Sequence, residues 1–542
     1  MRKLLFLLIV IPFLTNAQDK DKSGPSTIVN PADLAKLTVA KQKMYGGQFL
    51  SALNAFRELE KSYDGNSSIK YYVGLCYYSL GQYTNAREVL EKGLKLPEKI
   101  KPDIHLLIGK IYHQDGEVDK AIEAFKAYKF AGVSDEETNE DADLYLQQCY
   151  NAQKYMANKL SVFVSNMGPE INSKFDDKNP CITADSKKMV FTTRRPETTN
   201  DLVDVEGDGK YFENVYIATM DSASRHFTKA ASIGNSINGS AHDACTSISP
   251  DGKLLFLYKN DVNDNASRGG NVFVSKQMNG KWKTPEALGK PINTTYWEGG
   301  VCISPDGKRY FFTSERKGGY GGSDIWMVEK KNKKEWGKPV NLGPEVNSKY
   351  DEAGMFLAPD GKTLFFCSNG PNSMGSYDIF RTVYENGSWS TPVNLGFPIN
   401  STFREGQLTV SADARYAYFS SNRNGGLGET DIYMVDLQDF AILEKDGIRK
   451  STNGLSILKG TIREGFEGYG IAETEVMVKD EKGTIAASGL TNENGEYFFT
   501  LPGGKYTIVI RKKGYKEIEE ALEITANNKE TMVFEKGYLL KK

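Results

Sequence analysis

One pentapeptide returns through the middle of this chain at a nearly fixed interval, and it restricts the fold more than any other feature. Ser249-Pro250-Asp251-Gly252-Lys253 recurs as Ser304-Pro305-Asp306-Gly307-Lys308 and as Ala358-Pro359-Asp360-Gly361-Lys362. Weaker copies stand at Thr183-Ala184-Asp185-Ser186-Lys187 and Ser411-Ala412-Asp413-Ala414-Arg415. Proline presets φ, aspartate caps the turn and glycine accepts a positive φ, so each copy predicts a hairpin turn. An aromatic-rich strand follows, as in Tyr310-Phe311-Phe312 and Leu364-Phe365-Phe366. Then come a Gly-rich loop and a second strand, such as Asp324-Ile325-Trp326, Asp378-Ile379-Phe380 or Asp431-Ile432-Tyr433. An outer strand closes the unit in Trp282 to Gly289, Trp336 to Gly343 and Trp389 to Gly396. The turn aspartates lie 66, 55, 54 and 53 residues apart. Four strands at that period predict the blades of a β-propeller.

The fifth unit ends near Phe440 without its outer strand. Leu160 to Gly168 supplies one, because Asn166-Met167-Gly168 runs into Pro169-Glu170-Ile171-Asn172 as Asn341-Leu342-Gly343 runs into Pro344-Glu345-Val346-Asn347. The expectation is a five-bladed propeller over residues 158–441 whose ends exchange a strand, which removes two exposed sheet edges. The units resemble the TolB-type, WD-repeat-like propeller family.

Eight residues before every turn aspartate stands a carboxylate: Asp177, Asp243, Glu298, Glu352 and Glu405. Five residues before each acid is an asparagine: Asn172, Asn238, Asn293, Asn347 and Asn400. Phe175, Tyr296, Tyr350 and Phe403 precede four of the acids by two residues. Fivefold symmetry puts the acids at equivalent points near the mouth, where inner strands begin. Two readings follow. The acids form an open ring for a cation, a sugar or a basic peptide, or each bonds backbone N–H groups of a neighbouring loop. Repetition in every blade favours the second, since a working site normally breaks the symmetry. An insertion in the first unit, Asp201 to Gly209, alternates Asp204, Glu206 and Asp208 as in the first half of a calcium loop. Val215 stands where the bidentate glutamate is needed, so a solvated acidic loop is expected rather than a metal site.

A helical period dominates earlier in the chain. Ala40, Gly74 and Gly109 recur at 34 and then 35 residues. Twelve residues beyond each lie Ala52, Ala86 and Ala121, and four further on Phe56, Leu90 and Phe125. Small residues at these points let paired helices approach, and the large apolar residue fills the next gap. Gly81-Gln82-Tyr83 and Asp115-Gly116-Glu117 mark turns between helices. This pattern resembles the tetratricopeptide repeat, with three units over residues 32–157 and a closing helix from about Asp141 to Ala157. The family's register turns Lys41, Met44, Tyr71, Tyr78, Lys110 and His113 into a concave groove, which implies a peptide or protein partner. The alternative is a spacer whose tyrosines only pack.

Residues 442–454 read as a polar linker. Leu458-Lys459-Gly460-Thr461-Ile462 then opens a set of alternating strands, with turns at Thr491 to Glu496 and Leu501 to Lys505. Residues 455–535 resemble the carboxypeptidase regulatory-like, transthyretin-like sandwich, usually a non-catalytic accessory, and residues 536–542 read as a tail. At the other end, Arg2-Lys3, the apolar run Leu4 to Leu14 and Thr15-Asn16-Ala17 before Gln18 read as an export signal over residues 1–17, followed by a linker over 18–31. That run is too short to span a bilayer, which needs about 20 apolar residues. No two of the six cysteines form a Cys-x-x-Cys pair, and buried free thiols are expected.

The expected fold class is therefore multidomain α + β: an N-terminal α-helical tetratricopeptide array, a five-bladed β-propeller and a C-terminal β-sandwich. Lys and Arg number 68 against 70 Asp and Glu, a balance that excludes a partner held by phosphate neutralisation, so no nucleic acid is expected. The four histidines, His105, His113, His226 and His242, form no Ser-His-Asp set. The order of parts resembles an envelope-protein family of Bacteroidota that includes the peptidoglycan-linked periplasmic component of the type IX secretion and gliding machinery. The resemblance implies a non-enzymatic periplasmic scaffold at the outer membrane, without cofactor or small-molecule substrate, that docks outer-membrane or periplasmic proteins such as a β-barrel. Relatives continue into an OmpA-like domain, whereas this chain stops at Lys542, so peptidoglycan binding is not expected. Two other readings stay open: a glycan- or cation-binding propeller sensor, and a glycoside hydrolase, which needs a singled-out pair of carboxylates.

Overall fold

The computed structural model describes residues 28–96, 100–131, 136–197, 202–204, 208–221, 224, 226–259, 270–331, 335–437, 440, 442–443, 454–465, 468–526 and 530–542. They form two compact units. Residues 1–17, expected as an export signal, and most of the expected linkers at 18–31 and 442–454 lie outside the described residues.

The first unit is the helical array together with Pro196–Phe212 and Met374–Ser376. Its helices are α1 (Pro31–Tyr45), α2 (Phe49–Ser62), α3 (Ser67–Ser79), α4 (Tyr83–Leu94), α5 (Asp103–Gln114), α6 (Val118–Phe130) and α7 (Glu136–Ala157). Asn30 caps α1 by accepting the Ala32 N–H at 2.9 Å, with Pro31 preset in the first turn. Asn66 caps α3 in the same way through the Ile69 N–H at 3.0 Å. The hairpins α1/α2, α3/α4 and α5/α6 close as the repeat requires. A Cβ on Gly74 would lie 2.6 Å from Leu90 Cδ2, and one on Gly109 2.6 Å from Phe125 Cε1, so glycine is what lets each pair approach. Ala40 and Phe56 are fully buried in the first hairpin's core. The closing helix starts at Glu136, earlier than the apolar spacing implied, and stacks Tyr145 on Phe125 at 5.4 Å.

The second unit holds the propeller and the sandwich. Five antiparallel sheets follow one another along the chain, with inner strands Asp177–Ile182, Asp243–Ile248, Glu298–Ile303, Glu352–Leu357 and Glu405–Val410. Each inner strand contacts those of the two neighbouring blades, and the first touches the fifth, so the ring closes. The outer strand of blade 5 is Phe163–Asn166, paired antiparallel with Asp431–Asp436. The chain thus fastens its ring with a strand drawn from before blade 1. The strong turn copies place Gly252, Gly307 and Gly361 at φ near 70° (71, 69 and 71°). In the weak copies Ser186 and Ala414 are forced to 56° and 53°, so the turn geometry is kept without glycine, at a conformational cost.

The blades are joined by a repeated pair of residues. Ile171, Ile237, Ile292, Val346 and Ile399 are each buried in the apolar seam against the preceding blade. The asparagine after each one bonds the third strand of that blade. Asn172 accepts the Ile432 N–H and donates to the Ile432 carbonyl, both at 2.8 Å. Asn238 does the same at Val215, Asn293 at Val272, Asn347 at Ile325 and Asn400 at Ile379, all between 2.8 and 3.1 Å.

The sandwich has one sheet of Ile485–Leu490, Glu475–Asp480, Gly504–Arg511 and Ile518–Ile524. The other holds Glu496–Leu501, Ser456–Glu464 and Val533–Glu535, extended by Tyr538–Leu540. That last strand corrects the reading of residues 536–542 as a tail: it pairs parallel with Ser456–Glu464, and Tyr538 and Leu540 are buried. The sandwich sits on the propeller's turn face. Ala184, Ala412 and Ile457 form an apolar contact with Leu455 and Phe498. Thr500 donates to the Pro359 carbonyl at 2.5 Å and Thr531 to Asp413 at 3.1 Å, while Lys308 reaches Ser488 and Lys253 reaches Glu496. Turns from all five blades take part.

Two outcomes follow. Asn400→Ala strands the buried Ile379 N–H, whereas the Ile379 carbonyl keeps the Leu395 N–H, so it lowers stability in chemical denaturation by about 1–3 kcal/mol. Ala184→Arg unseats the sandwich: the radius of gyration in small-angle scattering rises while circular dichroism is unchanged.

Candidate functional site

The mouth of the propeller is built by the five acids, and each is buried. Each begins an inner strand and turns back on its own loop. Ser173, Gly239, Thr294, Ser348 and Ser401 donate their N–H groups to Asp177, Asp243, Glu298, Glu352 and Glu405 at 2.5–3.0 Å. In four blades the Ser or Thr hydroxyl adds a second bond at 2.6–2.8 Å. That hydroxyl in turn accepts the N–H of Phe175, Tyr296, Tyr350 or Phe403, which sets these half-buried aromatics in place. Blade 2 has Gly239 and Ala241 at the hydroxyl and aromatic positions. The acids therefore form no open ring; each one pins a loop.

A basic residue completes most of these sites, and the spacing of the acids alone did not reveal it. Arg195 bonds Asp177 at 2.9 Å, Lys259 bonds Asp243 at 2.6 Å, Arg316 bonds Glu298 at 3.3 Å and Arg423 bonds Glu405 at 3.0 Å. The same side chains donate to the carbonyls of Ile171, Ile237, Ile292 and Ile399, so they tie acid, loop and seam residue together. The signal was present in the sequence: the arginines stand eighteen residues after their acids. Burial pushes the carboxyls of Asp177 and Asp243 above the usual range despite these cations.

A further charged group lies beside blades 1 and 2. Buried Glu213 meets Lys178 Nζ at 2.7 Å and His242 Nδ1 at 3.5 Å. Burial works to raise its carboxyl, but Lys178, His242 and Arg194 outweigh that and hold it well below the ordinary range.

The groove residues of the array separate into two groups. Lys41, Tyr71 and Tyr78 are partly exposed, and Lys41 lies over the Tyr72 ring at 4.8 Å. Met44 is core. Lys110 is buried with its ammonium 4.5 Å from the Tyr145 ring of α7. His113 is buried too, with Nε2 2.9 Å from the Met374 carbonyl, and burial lowers its imidazole to about 4. Lys110, His113 and Met44 thus belong to packing and do not line an open groove. At the acidic insertion Asp208 accepts the Lys210 N–H at 3.1 Å, and Glu206 lies outside the described residues. Among the described residues no three His, Cys, Asp or Glu side chains group as metal ligands. All six cysteines are free and buried.

Comparison with known proteins agrees with the two end modules. Residues 40–99 and 102–128 match tetratricopeptide repeat models, and residues 457–535 match the carboxypeptidase regulatory-like domain. No curated protein matches the chain by sequence. Among solved structures, the type III secretion chaperone SycD of Yersinia enterocolitica, bound to a peptide of the translocator YopD, shares 18% identity over 23% of this chain and 97% of its own, with a TM-score of 0.21. An α-L-arabinofuranosidase from Lactobacillus brevis shares 15% over 50% of this chain and 91% of its own, with a TM-score of 0.33. The RS223 β-xylosidase shares 11% over 50% and 94%, with a TM-score of 0.34. Likenesses of this size carry no activity to this chain.

Arg423→Ala leaves Glu405 buried without its cation, so it costs about 3–5 kcal/mol in chemical denaturation. Lys174→Ala, on the exposed rim, stays within about 0.5 kcal/mol of the parent.

Proposed function

We propose that this chain is a non-enzymatic scaffold that brings protein partners together in the periplasm at the outer membrane, within a secretion or envelope-assembly complex of the type IX kind. The observation that carries this reading is the matched repeat array, which keeps Lys41, Tyr71 and Tyr78 partly exposed on its first two hairpins. Arrays of this type use their concave surface for protein partners. The propeller supports the same reading. One of its faces is taken by the chain's own sandwich, and its five mouth acids are bonded to their own loops rather than set apart as a reacting pair. A rigid ring with one face covered presents its other rim, where Phe175, Tyr296, Tyr350 and Phe403 stand half-buried.

The test is affinity capture of the tagged full chain from solubilised envelopes after chemical cross-linking. An outer-membrane protein is expected by mass spectrometry, and Lys41→Glu is expected to reduce its recovery at least severalfold. Recovery no higher than an untagged control rejects the scaffold.

A further inference from the structure

The five mouth sites are five copies of one arrangement, so each serves as a control for the others. In four of them a buried acid has a cation. In blade 4 the arginine position, eighteen residues after Glu352, is Gly370. Glu352 is as buried as the rest (1% exposed) and holds its loop in the same way. It accepts the Ser348 N–H at 3.0 Å, the Ser348 hydroxyl at 2.7 Å and the Ser368 hydroxyl at 3.1 Å.

The chemistry of the partners differs in kind. A guanidinium only donates, so it requires a carboxylate. A serine hydroxyl both donates and accepts, so Ser348 and Ser368 can bond a carboxylate or a neutral carboxylic acid. The surrounding charges do not replace the missing cation. Asp324 of blade 3 adds a negative field. Asp351 is buried and bonded by the Ser323 N–H and the Tyr377 hydroxyl. Asp378, opposite Ser368 on the third strand, is bonded by Asn394. The basic side chains of this neighbourhood, Lys349 and Arg404, lie over the rings of Tyr350 and Tyr377.

We propose that blade 4 is a pH-responsive sector of the propeller: Glu352 sits in the folded ring as a neutral acid, and its ionisation weakens the hold on the mouth loop between Asn347 and Glu352. Burial, followed by the charge of Asp324, pushes its carboxyl up to about 7, with the serine bonds working the other way. The direction of the response follows. The folded state binds this proton more tightly than the unfolded chain, so the stabilisation is complete below about 4.5 and is lost as pH rises to about 7. Across that window the folding constant falls about tenfold per pH unit from this group alone.

The experiment compares the full chain with Glu352→Gln and, as a control, Glu405→Gln. Denaturation midpoints and amide exchange of the 344–352 peptides, corrected for intrinsic rates, are measured at about pH 5 and about pH 8. The parent is expected to lose midpoint and loop protection at the higher pH. Glu352→Gln, a permanent mimic of the neutral acid, is expected to remove that component. Glu405→Gln, which removes the counter-charge of Arg423, is expected to lower the midpoint at both pH values and keep the parent's slope. A parent-like slope in Glu352→Gln, or equal flattening by Glu405→Gln, overturns the proposal. Infrared spectroscopy of the parent covers the case in which Glu352→Gln fails to fold. A carboxylic-acid carbonyl band that disappears with a midpoint near pH 7 supports the proposal, and no such band overturns it.

Discussion

A side-chain amide bonded to both groups of a neighbouring peptide unit holds this propeller together. Neighbouring blades share no continuous strand-to-strand ladder, so the seam depends on apolar contact and on separate hydrogen bonds, among them those the N–H groups of Asp177, Asp243, Glu352 and Glu405 give to carbonyls of the preceding blade. Each asparagine of the series beginning at Asn172 supplies one acceptor and one donor across that seam, as a strand would. The preceding isoleucine or valine fixes the amide's position by being buried in the seam. The loop that follows is then folded back and fastened by the mouth acid. Seam, stitch and pinned loop are therefore one continuous device of seven residues, as in residues 171–177, repeated around the ring.

This device explains why polar residues recur so strictly at the mouth. A buried carboxylate is costly unless it is fully bonded, and in blades 1, 3 and 5 the cost is offset by backbone N–H groups, hydroxyls and an arginine that also satisfies a carbonyl of the seam. The hairpin turns at the other end of the inner strands keep one geometry around the ring: Ser186 and Ala414 accept a left-handed backbone that glycine takes elsewhere. Those turns are the seat of the sandwich, so their shape matters beyond the hairpin itself.

Much of this was legible in the sequence. The turn period predicted the blades, the Asn-Met-Gly run at residues 166–168 predicted the strand that closes blade 5, and the small-residue offsets at Ala40, Gly74 and Gly109 predicted the helix contacts. These features are local or periodic, and periodic features survive in one dimension. What was missed depends on contacts between distant segments. Lys110 and His113 sit at register positions of a groove, yet α7 and the Met374 segment cover them. The strand at Tyr538–Leu540 is too short to show an alternation, and only its pairing with Ser456–Glu464 reveals it. The arginine series was readable at a fixed offset, but arginine on a loop looks solvated until an acid is found beneath it.

The borrowed strand Phe163–Asn166 also sets an order of events. It is made before any of blades 1 to 5, but its partner, Asp431–Asp436, emerges some 270 residues later. A chain that folds from its N-terminus completes the helical hairpins, which rest on near neighbours, while this strand waits unpaired. Ring formation is consequently the last large step of the propeller, and it cannot begin to finish until blade 5 exists. A truncation before Asp431 removes the partner strand and leaves Phe163–Asn166 with no strand to pair with, an edge open to association with other chains.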